Sequence, residues 1–378
     1  MKKICFLVSS PFTKNDYRKY GISQIKKSGF QILILDCTPF LESKFYLEIG
    51  GDKVTMKNKL VLKCFTKKDI FLNLNKFNPD WCVDDLQGFS KKLYIDRLQI
   101  RIFLKSNFKI LEYKLKSIPF YKGLINRNFF NYTKNLVKIF LIKIFSLPWK
   151  IAKPDKVVIG GSIEYEKLSN HIGISIIRAH NFDFDDFKRI TQINFIKKTT
   201  NNLLFLDEDF PCHSDYIRDG LSPSINVENY FNEISYCLLN LSNRFGLKPL
   251  IKLHPKANFK RSRKLYTIPV SIKDTAELVS NADVVVAHCS TSIQLAVLFK
   301  KPLILIIPNQ LQSNSVWRKS IDNFSCLLRV PAIKSSEINN LKSIPLVNVE
   351  SYNNYSEKYI KMKGSPNKFS WEIITENL

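Results

Sequence analysis

Apolar runs of strand length alternate along the chain with polar stretches that carry apolar residues at helical spacing. The first run, KKICFLVSS, is followed from Lys14 to Ser28 by a polar stretch with Tyr17, Tyr20, Ile22 and Ile25 on one helical face. Gly29 closes that stretch, and QILILDC is the next run. Strand, helix, strand in this order predicts a βαβ unit and hence a parallel sheet. Leu60–Phe65, Asp80–Asp84, Phe108–Glu112 and Lys156–Ile159 read as further strands, the last ending in Gly160-Gly161-Ser162.

The alternation breaks near residues 185–200 and then begins again. NLLFLD (202–207) is a strand, and Asn226 to Phe245 is a long helix with Tyr230, Ile234, Cys237, Leu238 and Leu241 on one face. Pro249–Leu253 is a strand, and Asp274 with Glu277 forms a capping signature. Asp283–Ala287, Thr291–Phe299 and Leu303–Ile307 read as strand, helix and strand. The expected organisation is a Rossmann-like domain over 1–190, a second over 191–350, and a tail over 351–378 that returns to the first.

At 378 residues the chain is long enough for two domains with separate cores. No run reaches the roughly 18 apolar residues of a membrane span. The apolar start is too short for a signal peptide and reads as a strand. Eight scattered cysteines contain no C-x-x-C pair. They fit a reducing cytoplasm, with neither a zinc site nor a disulfide framework.

The formal net charge of +25 admits nucleic acid, an anionic membrane surface or acidic small molecules as partners. Joint enrichment in Lys, Asn, Ile and Phe, as in chains from AT-rich genomes, accounts for part of it. The excess is nevertheless uneven. Between Arg101 and Lys156, Glu112 and Asp155 are the only acids, and large apolar residues are interleaved, as in NLVKIFLIKIFSLPWK. Two readings compete: a buried helix with snorkelling lysines, or an amphipathic surface on anionic lipid. Nucleic acid is not an expected partner, because no helix-turn-helix, zinc-finger or RNP signature is present.

Ligands of open α/β sheets sit beyond the carboxyl ends of the strands. That rule selects His254-Pro255-Lys256, which follows a strand: the imidazole can donate to a phosphate oxygen, Lys256 adds charge and Pro255 fixes the turn. It also selects Ser290-Thr291-Ser292, where hydroxyls and backbone N–H groups meet at a strand-to-helix turn suited to an anion; simple capping is the competing role. His213, in FLDEDFPCHSD, is a possible cleft residue, as is Asp209. Asp207-Glu208-Asp209 looks like a D-x-D metal motif, but acids at a strand end are commonly solvated or capping, and no metal site is assigned. Asp183, Asp185 and Asp186 read as linker. A general base for direct transfer has four candidates after strands: Asp16, Asp84, Asp85 and Glu164. Asp16 is preferred; Asp84 and Asp85, as adjacent carboxylates, could raise one another's pKa.

From Asp207 to Pro302, the His-Pro motif followed by the Ser/Thr turn resembles GT-B glycosyltransferases that use CMP-activated acidic sugars, including bacterial sialyltransferase-like, capsule and lipopolysaccharide transferases. The resemblance implies two Rossmann-like domains facing a cleft. It also implies a metal-independent enzyme without cofactor that transfers a nonulosonate or Kdo from a CMP-linked donor to a glycan or glycolipid acceptor. His254, Pro255, Ser290, Thr291 and Ser292 would hold the donor phosphate, with His254 electrostatically catalytic. D-x-D metal sites belong to the other major glycosyltransferase fold. UDP- and GDP-sugar enzymes of this fold often carry Glu in an E-A-x-x-x-G-K-P pattern; aligned on Lys301-Pro302, that position is Leu295, which disfavours UDP. The alternatives are polyol-phosphate transfer from CDP-glycerol or CDP-ribitol, whose families tend to carry a second His-centred motif for which His288 is the candidate, a UDP-sugar glycosyltransferase, and, outside enzymes, a nucleic-acid-binding protein suggested by charge alone. A lipid-linked acceptor implies a cytoplasmic enzyme, peripheral on the inner face of the cell membrane.

Overall fold

The computed structural model describes residues 1–86, 94–115, 152–171, 173–193, 200–213, 225–255, 257–311 and 315–378. The centre of the basic stretch, with Phe140, Leu141, Ile144 and Trp149, lies outside the described residues, as does Lys256.

Two parallel sheets organise the chain. The first is built from β1 (Lys3–Val8), β2 (Gln31–Asp36), β3 (Val61–Lys63), β4 (Trp81–Asp85), β5 (Lys109–Lys114), β6 (Lys156–Ile159) and β7 (Ser175–Arg178), in the order β3-β2-β1-β4-β5-β6-β7. The second contains β8 (Asn202–Leu206), β9 (Lys248–Lys252), β10 (Val270–Ser271), β11 (Val284–Ala287), β12 (Leu303–Ile307) and β13 (Ala332–Lys334), in the order β10-β9-β8-β11-β12-β13. Helices cover the sheets, so the central strands are buried on both faces and read as continuous apolar runs. β1, β11 and β12 are buried almost throughout. In each sheet the strand order reverses once, between β1 and β4 and between β8 and β11. These are the switch points where such sheets open a crevice.

The stretch 14–28 forms two short helices, Lys14–Lys19 and Ile22–Lys27, rather than one. Gly21 between them has φ +54°, and a Cβ there would lie 2.4 Å from Cδ1 of Trp371. The break makes room for the C-terminal helix Ser370–Glu376, whose Trp371, Ile373 and Ile374 join Ile4, Phe6, Tyr20 and Ile22 in the core of the first domain. Before that, Tyr352, Tyr355 and Tyr359 pack in the core of the second domain. The tail thus ties the two together. Where it crosses, Met362 N–H donates to Gly160 O (2.9 Å) and Asn181 N–H donates to Ile360 O (2.9 Å). A Cβ at Gly161 would stand 2.0 Å from Lys358 O. The Gly160-Gly161 pair therefore serves close passage of the tail.

The Val227–Phe245 helix is capped by the Asn226 side chain and stopped by Gly246, and its Tyr230, Phe231, Ile234, Leu238 and Leu241 face the second core. Its apolar stripe and both end signals are local. The Asp274 capping signature also forms: its carboxylate accepts Glu277 N–H (3.1 Å) and starts the Thr275–Asn281 helix. The cysteines are free thiols, six of them buried.

Candidate functional site

The crevice of the second sheet is built by the loops after β8, β9 and β11. Leu206 is level with Lys252, and Phe205 with Val286. Continuing these registers sets Glu208 beside both His254 and Cys289. Cys289 N–H does donate to Glu208 Oε1 at 2.9 Å. His254 and Ser290 thus follow strands that flank β8 on either side. The strands themselves stand roughly 10 Å apart, two strand spacings, so convergence on one anion falls to the side chains.

His213, four residues beyond Asp209, comes down beside His254, with ring centroids 5.0 Å apart and planes at 53°. Both histidines are half-buried and Pro255 is exposed. Across β8, the Ser290 hydroxyl accepts Ser292 N–H at 3.2 Å. Ser292 occupies the cap position of the Ile293–Leu298 helix without making a side-chain cap bond, and Thr291 is exposed. Capping therefore spends the acceptor side of one hydroxyl of the three.

The three acids after β8 are each engaged. Asp207 Oδ1 accepts Asp209 N–H (2.9 Å) and the Tyr266 hydroxyl (3.0 Å). One guanidinium nitrogen of Arg261 straddles both oxygens of Asp209, at 2.5 and 2.6 Å. Burial pushes Asp207 up to about 7 and Glu208 up to about 8. Burial also raises Asp209, against the charge of Arg261.

His288 is no second cleft histidine. It is fully buried; Nδ1 lies 2.6 Å from Ile306 O and Nε2 lies 3.0 Å from the Tyr230 hydroxyl. The carbonyl can only accept, so Nδ1–H donates to it and Nε2 accepts from Tyr230. Burial pulls its pKa down to about 4, which keeps it neutral. His180, between Asn181 O and Lys368 O, is another buried structural histidine.

On the first domain, Asp16 belongs to a capping box. Its Oδ2 accepts Thr13 N–H (2.9 Å) and the Thr13 hydroxyl (2.7 Å), and its own N–H donates to Thr13 Oγ1 (3.3 Å). Successive strand residues point to opposite faces, and this splits Asp84 from Asp85. Asp84 is buried against Arg101, whose Nη2 also reaches Glu112 (2.8 Å) and whose Nε donates to Ala152 O (2.8 Å). Burial raises Asp84, but the charges of Arg101 and Arg97 outweigh it and hold the carboxyl below the usual range. Asp85 is half-buried and accepts the hydroxyl of Tyr20, across the switch point between β1 and β4. Glu164 pairs with Lys167 at 3.0 Å.

The domains are joined by ion pairs. Arg18, after β1, reaches Asp274 of the second domain and Asp186 (3.7 Å); Arg189 contacts the same two carboxylates at 2.9 and 3.1 Å. Asn181 donates to Gln294, in the first turn after Ser290–Ser292. Asp186 is therefore part of the domain contact rather than linker. Lys252, buried at the end of β9, donates its Nζ to Leu253 O (3.0 Å), and burial lowers its pKa. Sequence reasoning passed over Lys252, Arg18 and Arg261, because nothing local separates them from the other basic residues of the chain.

No family model and no curated protein sequence matches the chain. Among solved structures it is similar to a variant of the wall teichoic acid polymerase TagF, with TM-score 0.54 and 11% identity over 100% of this chain and 88% of that one. It is also similar to Arabidopsis thaliana UGT89C1 complexed with quercetin, with TM-score 0.51 and 10% identity over 99% of this chain and 98% of that one. With two parallel, singly reversing sheets and a tail that links them, the chain has the two-domain, Rossmann-like GT-B fold.

Proposed function

We propose that this chain is a glycosyltransferase that binds a nucleotide-activated donor at the β8/β11 switch point and transfers its sugar to a glycan acceptor approaching from the first domain. One observation carries the reading. His213, His254 and Ser290–Ser292 follow three neighbouring strands at the same edge of one parallel sheet, where open α/β sheets take their ligands. The mechanism is displacement at the anomeric carbon. The acceptor oxygen forms the new bond as the bond to the donor phosphate breaks. The electron pair leaves on the phosphate, stabilised by His254 and the hydroxyl turn, and the acceptor proton goes to a carboxylate of the first domain. Asp16 spends its carboxylate on a capping box; Asp85, at the first domain's switch point with Tyr20 as its donor, is the better placed of the candidates.

The donor class proposed is a CMP-activated acidic sugar. Leu295, at the position where UDP-type enzymes of this fold often carry Glu, is 2% exposed and apolar, so it offers no acceptor to a ribose diol. A UDP-sugar donor is the competing class. Polyol-phosphate transfer from a CDP-polyol is a second reading, favoured by the His213–His254 pair and in keeping with the printed name of TagF.

A thermal-shift panel of CMP, CDP, UDP and GDP decides the base and phosphate count, since a selective ligand stabilises by mass action. CMP release from a CMP-sugar against CMP release from CDP-glycerol then separates sugar transfer from polyol-phosphate transfer. Selective stabilisation by UDP overturns the CMP assignment, and stabilisation by none of the four removes the donor site. Peripheral membrane association belongs to the same proposal. Among the described residues no helix is long and apolar enough to cross a membrane. At the edges of the basic stretch Arg101 is buried in its ion pairs and Lys105 is paired with Asp155 (2.7 Å).

A further inference from the structure

The crevice holds two imidazoles at close range, and they belong to loops that share no strand pairing beyond β8 and β9. Two bonds join these loops from the outside. Asp207 accepts the Tyr266 hydroxyl, and Asp209 receives Arg261. The second is the shorter route to both rings. On one side, Asp209 sits at φ 50°, ψ 40°, and its N–H is held by Asp207. Its carbonyl accepts Cys212 N–H (2.8 Å), which closes the Phe210–Cys212 turn immediately before His213. On the other side, Ala257 N–H donates to His254 O (2.9 Å), and Asn258 caps the Phe259–Leu265 helix by accepting Arg261 N–H (3.1 Å). His213 and His254 are thus each tied by a short bonded path to one partner of a single ion pair.

Asp209 is 3% exposed. A carboxylate that deep is costly unless paired, and its left-handed backbone is one that few residue types adopt. We infer that the Asp209–Arg261 pair is a positioning brace that sets the spacing and relative tilt of His213 and His254, and thereby the shape of the phosphate subsite. For its functional consequence, though not for its geometry, the inference rests on the donor-site reading above.

Two substitutions test the brace. Arg261→Ala removes the cation. Asp209→Asn removes the charge while keeping a residue that tolerates the left-handed region, so it remains informative where the alanine variant fails to fold. The readout is NMR of full-length protein labelled in the histidine rings. The chain has five histidines, and the two cleft signals are assigned by His213→Gln and His254→Gln. With the brace intact, each of these substitutions moves the other ring's resonance, because rings 5.0 Å apart lie in one another's field. In the Arg261→Ala and Asp209→Asn backgrounds this cross-effect is expected to vanish, while the buried His180 and His288 signals stay in place and report an intact fold. CMP affinity is expected to fall about tenfold or more in both backgrounds, a loss readily measured by titration. A cross-effect that persists in both backgrounds overturns the brace, even if CMP binds. A cross-effect lost in both, in a protein whose wild type binds no nucleotide, upholds the brace and overturns the donor site instead.

Discussion

Glu208→Gln perturbs the crevice without changing its shape. Glu208 is buried, its Oε1 accepts Cys289 N–H at 2.9 Å, and the Cys289 thiol lies 3.8 Å from Oε2. Burial foremost, and secondarily the charge of Asp207, lift its pKa from 4.5 to about 8. The folded protein therefore keeps this proton at neutral pH while the unfolded chain gives it up. The unfolded state binds fewer protons, so this group makes stability fall as pH rises from about 4.5 and level off above about 8. At about 1.4 kcal/mol per factor of ten in proton affinity, the cost is under ~1 kcal/mol at pH 5 and ~3 kcal/mol at pH 7. Glutamine keeps the acceptor oxygen for Cys289 and does not titrate. The variant is therefore expected to stay within ~1 kcal/mol of the wild type near pH 5 and to exceed it by about 3 kcal/mol at pH 7 and about 4 kcal/mol at pH 8. For a domain of this size the gap at pH 7 is roughly 6–12 °C in Tm. Thermal unfolding of both proteins at pH 5, 6, 7 and 8 measures it. Buried Asp207 and half-buried Asp183 and Asp185 are likewise pushed up to about 7, but they are common to both proteins and largely cancel in the difference. A gap between variant and wild type that does not change with pH refutes the reasoning.

His254→Ala is expected to reduce CMP release about a hundredfold, the scale for losing one electrostatic stabiliser; turnover at the wild-type rate removes His254 from the mechanism. Arg101→Leu leaves Asp84 and Glu112 buried without their cation and should destabilise by about 3–5 kcal/mol, read by urea denaturation. Trp371→Ala empties the slot against Gly21, Phe6 and Tyr113; a loss of ~3–5 kcal/mol, seen in the first-domain transition, is expected if the tail helix is part of that core. Sedimentation with vesicles should show pelleting with anionic lipid, weakened by salt and absent with neutral lipid, at about 1 kcal/mol per engaged Lys or Arg; equal pelleting with both lipids, or none with either, ends the membrane proposal.

Much of the architecture was legible because buried parallel strands announce themselves locally. KICFLV, QILILD, VVVA and LILII are continuous apolar runs that became β1, β2, β11 and β12, and the Asn226 and Gly246 signals bound a helix where they stand. The strands β7, β10 and β13 escaped, since SIIR, VS and AIK mix polar with apolar residues and stand in no longer apolar run. That His254 and Ser290 follow strands is also local, and so could be read from the chain. What stands next to them is not. The Asp209–Arg261 contact joins residues 52 apart in sequence, and Arg18–Asp274 joins residues 256 apart. No composition or spacing distinguishes those arginines from their many basic neighbours. The split of Asp84 from Asp85, the helix break at Gly21 and the use of Gly160-Gly161 were likewise decided by packing. Each depends on which surface arrives on the other side, an arginine, a tryptophan or the returning tail, and that is fixed only when the two sheets and the tail come together.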